Sequence, residues 1–97
     1  MRQLIWLDSA INDLVRLRDF IAKENLEAAR RAAHELQDGA RRLIEYPLIG
    51  KPVADLPDYR DLSIRFGASG YILRYRIYVD SIYIVHIRHY REIDFKL

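Results

Sequence analysis

The 97-residue sequence contains no cysteine, which excludes a disulfide framework and a thiolate zinc site. The lack of cysteine also fits a reducing compartment. No run of 18 apolar residues occurs, and Asp8 interrupts the apolar start too early for a signal peptide. Since 51% of the residues are hydrophobic, disorder is excluded as well. We therefore expect one soluble cytoplasmic domain that spans residues 1–97.

Proline and glycine are scarce, with three prolines and four glycines, and every proline lies within residues 47–59. That stretch is predicted to be an ordered loop. Before it, apolar residues recur at helical spacings of three and four. Asp8 or Ser9 is expected to cap the first helix and Asn25 the second. The first helix presents Ala10, Leu14, Leu17, Phe20 and Ile21 on one face, and the second presents mainly alanines.

Residues 2–7 form a short apolar run, and residues 60–66, 71–79 and 82–88 alternate with the two-residue period of strands. We therefore predict an α+β fold of order β-α-α-β-β-β. An N-terminal strand and an antiparallel αα-hairpin precede three strands, and the hairpin covers one face of a mainly antiparallel four-stranded sheet. With only two helices available, the other face is expected to stay open.

Positive charge is distributed unevenly. Residues 1–59 hold nine Lys/Arg against ten Asp/Glu, whereas residues 60–91 hold six arginines against Asp61 and Asp80. The alternation places an apolar set toward the helices: Leu62, Ile64, Phe66, Leu73, Tyr75, Ile77, Val85 and Ile87. The opposite, open face would carry Arg65, Arg74, Arg76, Tyr78, His86 and Arg88, with Ile72 and Ile84 between them.

The open face is either an ordinary solvated surface, over which arginine stems cover apolar area, or a binding surface. A merely solvated face usually mixes charges of both signs, and this one is predicted to lack balancing acids. Like charges on adjacent strands repel each other. The concentration of arginine therefore favours an acidic partner, which can be RNA, DNA or an acidic protein segment.

Several short motifs, spread over nearly the whole chain, resemble the ParE/RelE superfamily of bacterial toxins from type II toxin–antitoxin systems. They are Trp6 followed by SAINDL (9–14), YPLIGKPV (46–53), YRDLSI (59–64), GYILRYRI (70–77) and IYIVHIRHYRE (82–92). The resemblance implies one of two activities. RelE-like members cut mRNA in the ribosomal A site, and ParE-like members inhibit DNA gyrase.

The residues of a RelE-type nuclease centre are mostly missing. Its two lysine positions fall on Ser63 and Arg65, and its third-strand arginine falls on Ile72. Its later arginine falls on Arg91, and its tyrosine falls near Leu97. RNA cleavage needs a base and an acid, and arginine cannot serve as a base because its pKa stays above about 12. A nuclease would therefore depend on His86 and His89, with Arg65 and Arg91 as phosphate clamps.

The ParE-like branch is favoured, and no catalytic residue, cofactor or metal is then expected. The residues expected to bind the target or the antitoxin are Arg65, Arg74, Arg76, Tyr78, His86, Arg88, His89 and Arg91. The resemblance implies DNA gyrase as the target, with the ribosome and mRNA as the alternative. A domain that only binds an antitoxin is a third reading. His34 is interpreted as a surface or packing residue.

The resemblance also implies a partner, a cognate antitoxin with an acidic amphipathic C-terminal segment, in a hetero-oligomer without membrane contact. Two surfaces suit that segment. One is the open face, and the other is the groove along the helical hairpin near Val15 and Leu26.

Overall fold

The computed structural model describes residues 2–96, which form two helices and five strands. In chain order these are β1 (Gln3–Trp6), α1 (Asp8–Ala22), α2 (Leu26–Glu45), β2 (Lys51–Pro52), β3 (Tyr59–Phe66), β4 (Ser69–Tyr78) and β5 (Ser81–His89). The predicted α+β order is confirmed. Within residues 2–96, neither helix combines the length and apolar character that crossing a membrane requires.

The sheet has the strand order β1-β5-β4-β3-β2. β1 runs parallel to β5, and all other neighbours are antiparallel. The sheet has one strand more than the four predicted, since the stretch assigned to a loop contributes β2. Proline has no backbone N–H to donate to a neighbouring strand. Pro52 therefore fits only a short pairing at the edge of the sheet.

The two helices begin differently. Asn25 caps α2 as predicted, because its side-chain oxygen accepts a hydrogen bond from the Ala28 backbone N–H at 3.0 Å. At α1 the prediction was wrong, since the cap position is Leu7 and no side chain caps the helix. Ser9 instead donates its hydroxyl to the Val85 carbonyl at 2.6 Å. This bond ties the first turn of α1 to β5.

The core lies between the helical hairpin and one face of the sheet. Small side chains on the helices let them approach the sheet closely, and the largest fully buried side chains are Leu36, Leu43, Leu73, Tyr75, Ile82, Ile84 and Ile87. Phe20, which was assigned to the core, is 72% exposed. Residues 10, 14, 17 and 21 form one stripe at about 100° per residue, and Phe20 lies roughly 90° away from its centre.

A β-bulge in β5 changes which side chains face the core. Arg74 pairs with His86 and Tyr75 pairs with Ile84, so Val85 is an extra residue without a partner. The simple alternation was therefore wrong for the first half of this strand. Ile84 is fully buried rather than open, and Val85 is only partly buried.

Tyr75 fixes the loop that follows α2. Its ring is fully buried, and its hydroxyl donates to the Pro47 carbonyl at 2.6 Å and accepts from the Gly50 N–H at 2.9 Å. A Cβ on Gly50 would lie 2.5 Å from this hydroxyl, so glycine is needed for the close approach. Burial raises the pKa of Tyr75, which keeps the hydroxyl protonated as a donor.

The Tyr75→Phe substitution should lower the free energy of unfolding by about 1–3 kcal/mol, because it leaves two backbone groups without their partner. Urea-induced unfolding measures this change. Tyr78→Phe is the matched control, since the Tyr78 ring is 53% exposed and its hydroxyl contacts no polar group within residues 2–96. Equal stability of the two variants would show that the Tyr75 hydroxyl does not hold the loop.

Candidate functional site

The face of the sheet opposite the helices gathers most of the predicted binding residues. Arg74, Arg76 and Tyr78 of β4 point to this side, and Arg74 is directly opposite His86 while Arg88 is opposite Ile72. The bulge preserves this grouping, because the alternation of β5 after Val85 returns to the predicted one. We keep the term open face for the side of the sheet that carries these residues.

A buried carboxylate stabilises the bulge. Asp13 of α1 is 4% exposed, and one of its oxygens accepts hydrogen bonds from His86 Nδ1 at 2.8 Å and from the Ile87 N–H at 2.9 Å. Arg16 lies 3.5 Å from the other oxygen. Since a carboxylate only accepts, His86 must carry its proton on Nδ1. The orientation of His86 is thus set by a helix on the far side of the strand.

The open face does contain a balancing acid, contrary to the sequence prediction. Asp61 lies opposite Arg74 in the β3–β4 ladder, and its two oxygens accept from Arg74 Nε at 2.8 Å and Nη2 at 2.9 Å. Hydrogen bonding to Asp61 raises the pKa of Arg74, so this guanidinium remains charged. Arg74 is therefore largely satisfied within the chain.

The segment 90–96 folds over one half of the open face. The Phe95 ring centre lies 4.6 Å from the guanidinium carbon of Arg74 and 5.3 Å from that of Arg88. The His86 ring packs against it with 5.7 Å between centres. Arg88 also donates to the Glu92 carbonyl at 2.6 Å. Sequence analysis missed Phe95, and the only signal was an isolated aromatic residue among the acids that follow the last strand.

Glu92 anchors this segment. Its carboxylate accepts from the His89 N–H at 2.9 Å and pairs with Arg16 at 3.0 Å. Burial by itself would raise the pKa of Glu92, but the hydrogen bonds from the His89 N–H and from Arg16 outweigh it and leave the pKa below its ordinary value. In its ionised form, Glu92 therefore helps to hold segment 90–96 in place.

Segment 90–96 does not cover the other half of the open face. Arg76 lies between two tyrosine rings, with its guanidinium carbon 5.2 Å from the ring centre of Tyr78 and 5.7 Å from that of Tyr59. Arg65, farther along β3, is exposed. In the part of the chain that the structure describes, neither Arg76 nor Arg65 forms an ion pair.

His89 and Arg91 are not part of the open face. His89 is opposite Tyr71, whose side chain is buried on the helix-covered side, and the two rings meet edge to face at 5.4 Å. With Phe20 and Arg91 they line a cleft of about 530 Å³ beside α1. His89 Nδ1 accepts from the Arg91 N–H at 3.1 Å, so Nε2 carries the proton and donates to Ser69 Oγ at 3.1 Å.

Some residues at the positions of a RelE-type nuclease centre make other contacts. Ser63 and Ile72 are paired across β3 and β4, and the Ser63 hydroxyl is hydrogen-bonded to the Tyr90 hydroxyl. Leu97 lies outside the described residues. His34 is exposed on α2 beside Asp38 at 3.0 Å, which agrees with a surface role. No three His, Asp or Glu side chains in residues 2–96 converge on a metal site.

The order of strands and helices agrees with the ParE/RelE superfamily that the sequence motifs resemble. The family model described as "ParE toxin of type II toxin-antitoxin system, parDE" matches residues 4–94. The chain therefore belongs to the ParE toxin family. It is a toxin of the type II toxin–antitoxin class, and this membership implies a cognate antitoxin as its partner.

Two proteins of Caulobacter vibrioides are similar in sequence. Toxin RelE3 is 35% identical over 83 residues, which cover 86% of this chain and 88% of that protein. Toxin RelE2 is 34% identical over 89 residues, which cover 92% and 96%. A solved structure described as "Chromosomal ParDE TA system from P. aeruginosa" matches with a TM-score of 0.77 over 92% of this chain and 96% of that one. Because the sequence identity to that structure is 22%, the match supports the fold alone.

Substitutions of Asp13 test whether its charge or its hydrogen bonds contribute more to the free energy of unfolding. Asp13→Asn keeps an oxygen acceptor for His86 and Ile87, so it should cost about 1 kcal/mol of unfolding free energy. Asp13→Ala leaves buried donors unpaired and should cost about 3 kcal/mol or more. Urea-induced unfolding separates the two variants. Asp19→Asn, an exposed change on the same helix, should cost under about 0.5 kcal/mol, and equal effects of all three would contradict this role.

Glu92 should make the stability depend on acid pH. Because its folded pKa is depressed, its contribution is present above the unfolded value, ordinarily 4.5, and is lost as the pH falls through the folded pKa. Glu92→Gln should therefore be less stable than the natural chain at pH 7 and should lose less stability below about pH 4.5.

Thermal unfolding between pH 7 and pH 3 measures this difference. Glu35→Gln, at an exposed position of α2, is the control and should follow the natural chain over the whole range. A parallel pH profile for Glu92→Gln and the natural chain would show that the carboxylate does not anchor the segment.

Proposed function

We propose that this toxin inhibits DNA gyrase by binding it, acts in the cytoplasm, and is neutralised by its antitoxin in a hetero-oligomer. The observation that carries the proposal is the separation of the two histidines. His86 lies on the open face and His89 on the helix-covered side, so they do not form an acid–base pair on one surface. Arginine, the other abundant group of the open face, cannot act as a base.

What the open face offers is recognition chemistry. Tyrosine and arginine, together with tryptophan, are enriched among the residues that contribute most to the energy of protein interfaces. Arg65 and Arg76 bring positive charge without an ion pair inside residues 2–96, and Tyr78 brings a half-exposed ring. A surface of this kind gains affinity by meeting acidic and apolar groups of another protein and needs no reacting group.

The antitoxin has a separate surface available on the helices. Ile11, Val15 and Leu26 are 42%, 40% and 57% exposed, although each is apolar. Ile11 and Val15 are one helical turn apart on α1, so they share a face. We propose that the apolar side of the amphipathic antitoxin segment covers this face.

One observation favours the alternative function, a ribosome-dependent mRNA endonuclease. Asp13 holds His86 through Nδ1, an arrangement in which a carboxylate orients an imidazole as a base. The Caulobacter relatives, moreover, are named RelE toxins. Against this alternative, the His86 ring packs against Phe95 with 5.7 Å between centres, and His89 packs against Tyr71 on the helix-covered side of the sheet.

Two assays on the toxin freed from its antitoxin distinguish these functions: supercoiling by purified gyrase and mRNA cleavage in a translating extract. We expect inhibited supercoiling and intact mRNA. The Arg65→Gln/Arg76→Gln double variant should need at least about tenfold more protein for half inhibition, since each charged hydrogen bond is worth about 1.5–3 kcal/mol. Arg31→Gln, an exposed change on α2, should behave like the natural chain.

Other outcomes assign the function differently. Cleaved mRNA with normal supercoiling would overturn the proposal, and loss of cleavage in His86→Gln but not in His34→Gln would then identify the base. Neither activity, together with retained antitoxin binding, would leave the chain as an antitoxin-binding domain without toxicity.

A further inference from the structure

The cleft of about 530 Å³ beside α1 lies on the helix-covered side of the sheet, away from the open face. Pockets that bind small molecules have volumes of about 300–1,000 Å³, mostly apolar walls and a few polar groups that orient the ligand. This cleft has that size and that composition. Neither binding to gyrase through the open face nor the apolar face of Ile11, Val15 and Leu26 uses it.

The apolar walls of the cleft come from α1 and β4. Leu17 and Tyr71 are buried members of the core, and Ile21 packs against that core beside them. Phe20 lies at the rim, with most of its ring exposed. Burial raises the pKa of Tyr71, so its phenol remains neutral. A flat apolar group would be stabilised here, because it would remove aromatic and aliphatic surface from water.

The polar end of the cleft has a hydroxyl whose proton is not used. His89 Nε2 donates to Ser69 Oγ at 3.1 Å, so the hydroxyl accepts in that bond and keeps its own proton to donate. Within residues 2–96, that proton meets no acceptor. His89 Nδ1 accepts from the Arg91 N–H at 3.1 Å, which leaves the imidazole neutral and fixes the backbone from which Arg91 reaches the cleft.

Arg91 gives the cleft an unbalanced positive charge. Of the charged side chains that line it, Arg16 and Glu92 neutralise each other at 3.0 Å. Asp13 also lies 3.5 Å from Arg16, but it is buried and is not part of the lining. The Arg91 guanidinium forms no ion pair in the part of the chain that the structure describes. A ligand with a single negative charge matches this balance.

We propose that this cleft binds a small monocarboxylate with an aromatic body. The ring of the ligand packs on Leu17 and Tyr71. Its two carboxylate oxygens accept from the Ser69 hydroxyl and the Arg91 guanidinium. A phosphate ester fits less well, because its second negative charge meets no further unpaired cation in the lining and lies near the Glu92 carboxylate. The inference goes beyond the proposed function and holds whether the target is gyrase or mRNA.

Titration of the full chain with phenylacetate, followed by NMR, tests this site. Phenylacetate should bind with a Kd of about 1 mM, which is ordinary for a ligand of this size. It should shift the signals of Leu17, Ile21, Ser69 and Arg91. The methyls of Val79, exposed beyond the opposite end of β4, should not shift. Phenylacetamide, which has a similar shape without the charge, and acetate, which lacks the ring, should each bind at least about tenfold more weakly.

Variants of the chain test the two polar contacts. Arg91→Gln and Ser69→Ala should each weaken phenylacetate binding at least about tenfold, since each removes a hydrogen bond to a charged group. Arg91→Lys should weaken it less, because the charge is kept while the two-pronged geometry is lost. Arg31→Gln, an exposed change on α2, should not alter it. Should Ser69→Ala fail to fold, Arg91→Gln carries the same expectation, because Arg91 is exposed.

Five results would overturn the proposal. These are no saturable shifts up to about 20 mM phenylacetate, shifts that leave Leu17 and Ile21 unchanged, equal binding of phenylacetamide, equal affinity of Arg91→Gln and the natural chain, or tighter binding of phenyl phosphate. The second would place the ligand elsewhere on the protein. The third would show an apolar cleft without preference for an anion, and the fifth a site for a dianion.

Discussion

The open face depends on the hydrogen bonds of one buried carboxylate. Asp13 accepts hydrogen bonds from the backbone N–H of Ile87 and from the ring of His86. A side chain of α1 therefore pairs with the part of β5 that extends beyond its pairing with β1. This contact stabilises the bulge at Val85. Without the extra residue, the alternation of β5 would turn Ile84 out of the core, or turn His86 and Arg88 into it. One helix side chain thus helps to decide the composition of a surface on the other side of the sheet.

The basic character of this surface is partly cancelled by the chain itself. Asp61 meets Arg74, and segment 90–96 brings Phe95 and Asp94 to the arginines of one half. Unlike charges and ring faces reduce the repulsion that several arginines on neighbouring strands would otherwise cause. Within residues 2–96, the open-face arginines without an ion pair are Arg65, Arg76 and Arg88, and of these only Arg88 contacts segment 90–96. A count of charges along the chain describes the whole face, whereas the contacts divide it into a covered and an uncovered half.

Family membership and the geometry of the site answer different questions. Belonging to the ParE toxin family establishes the class of protein and implies an antitoxin. It does not distinguish inhibition of gyrase from cleavage of mRNA, because the relatives of similar sequence are named RelE toxins. The geometry bears on that choice through the histidines. Two imidazoles on opposite faces of a sheet cannot take and give a proton at the same bond.

The sequence by itself determined the two helices, four of the five strands and their order, because helical and strand periodicities are local properties of the chain. The cap at Asn25 follows from its residue type, and the placement of Arg74, Arg76 and Arg88 on one face follows from the two-residue spacing of strands. Only the tertiary structure decided the rest. The bulge depends on Asp13, 74 residues from Ile87 in the chain, and the ion pair of Asp61 depends on strand register. The separation of His89 from His86 and the position of Phe95 likewise arise from contacts between distant segments, which no local pattern encodes.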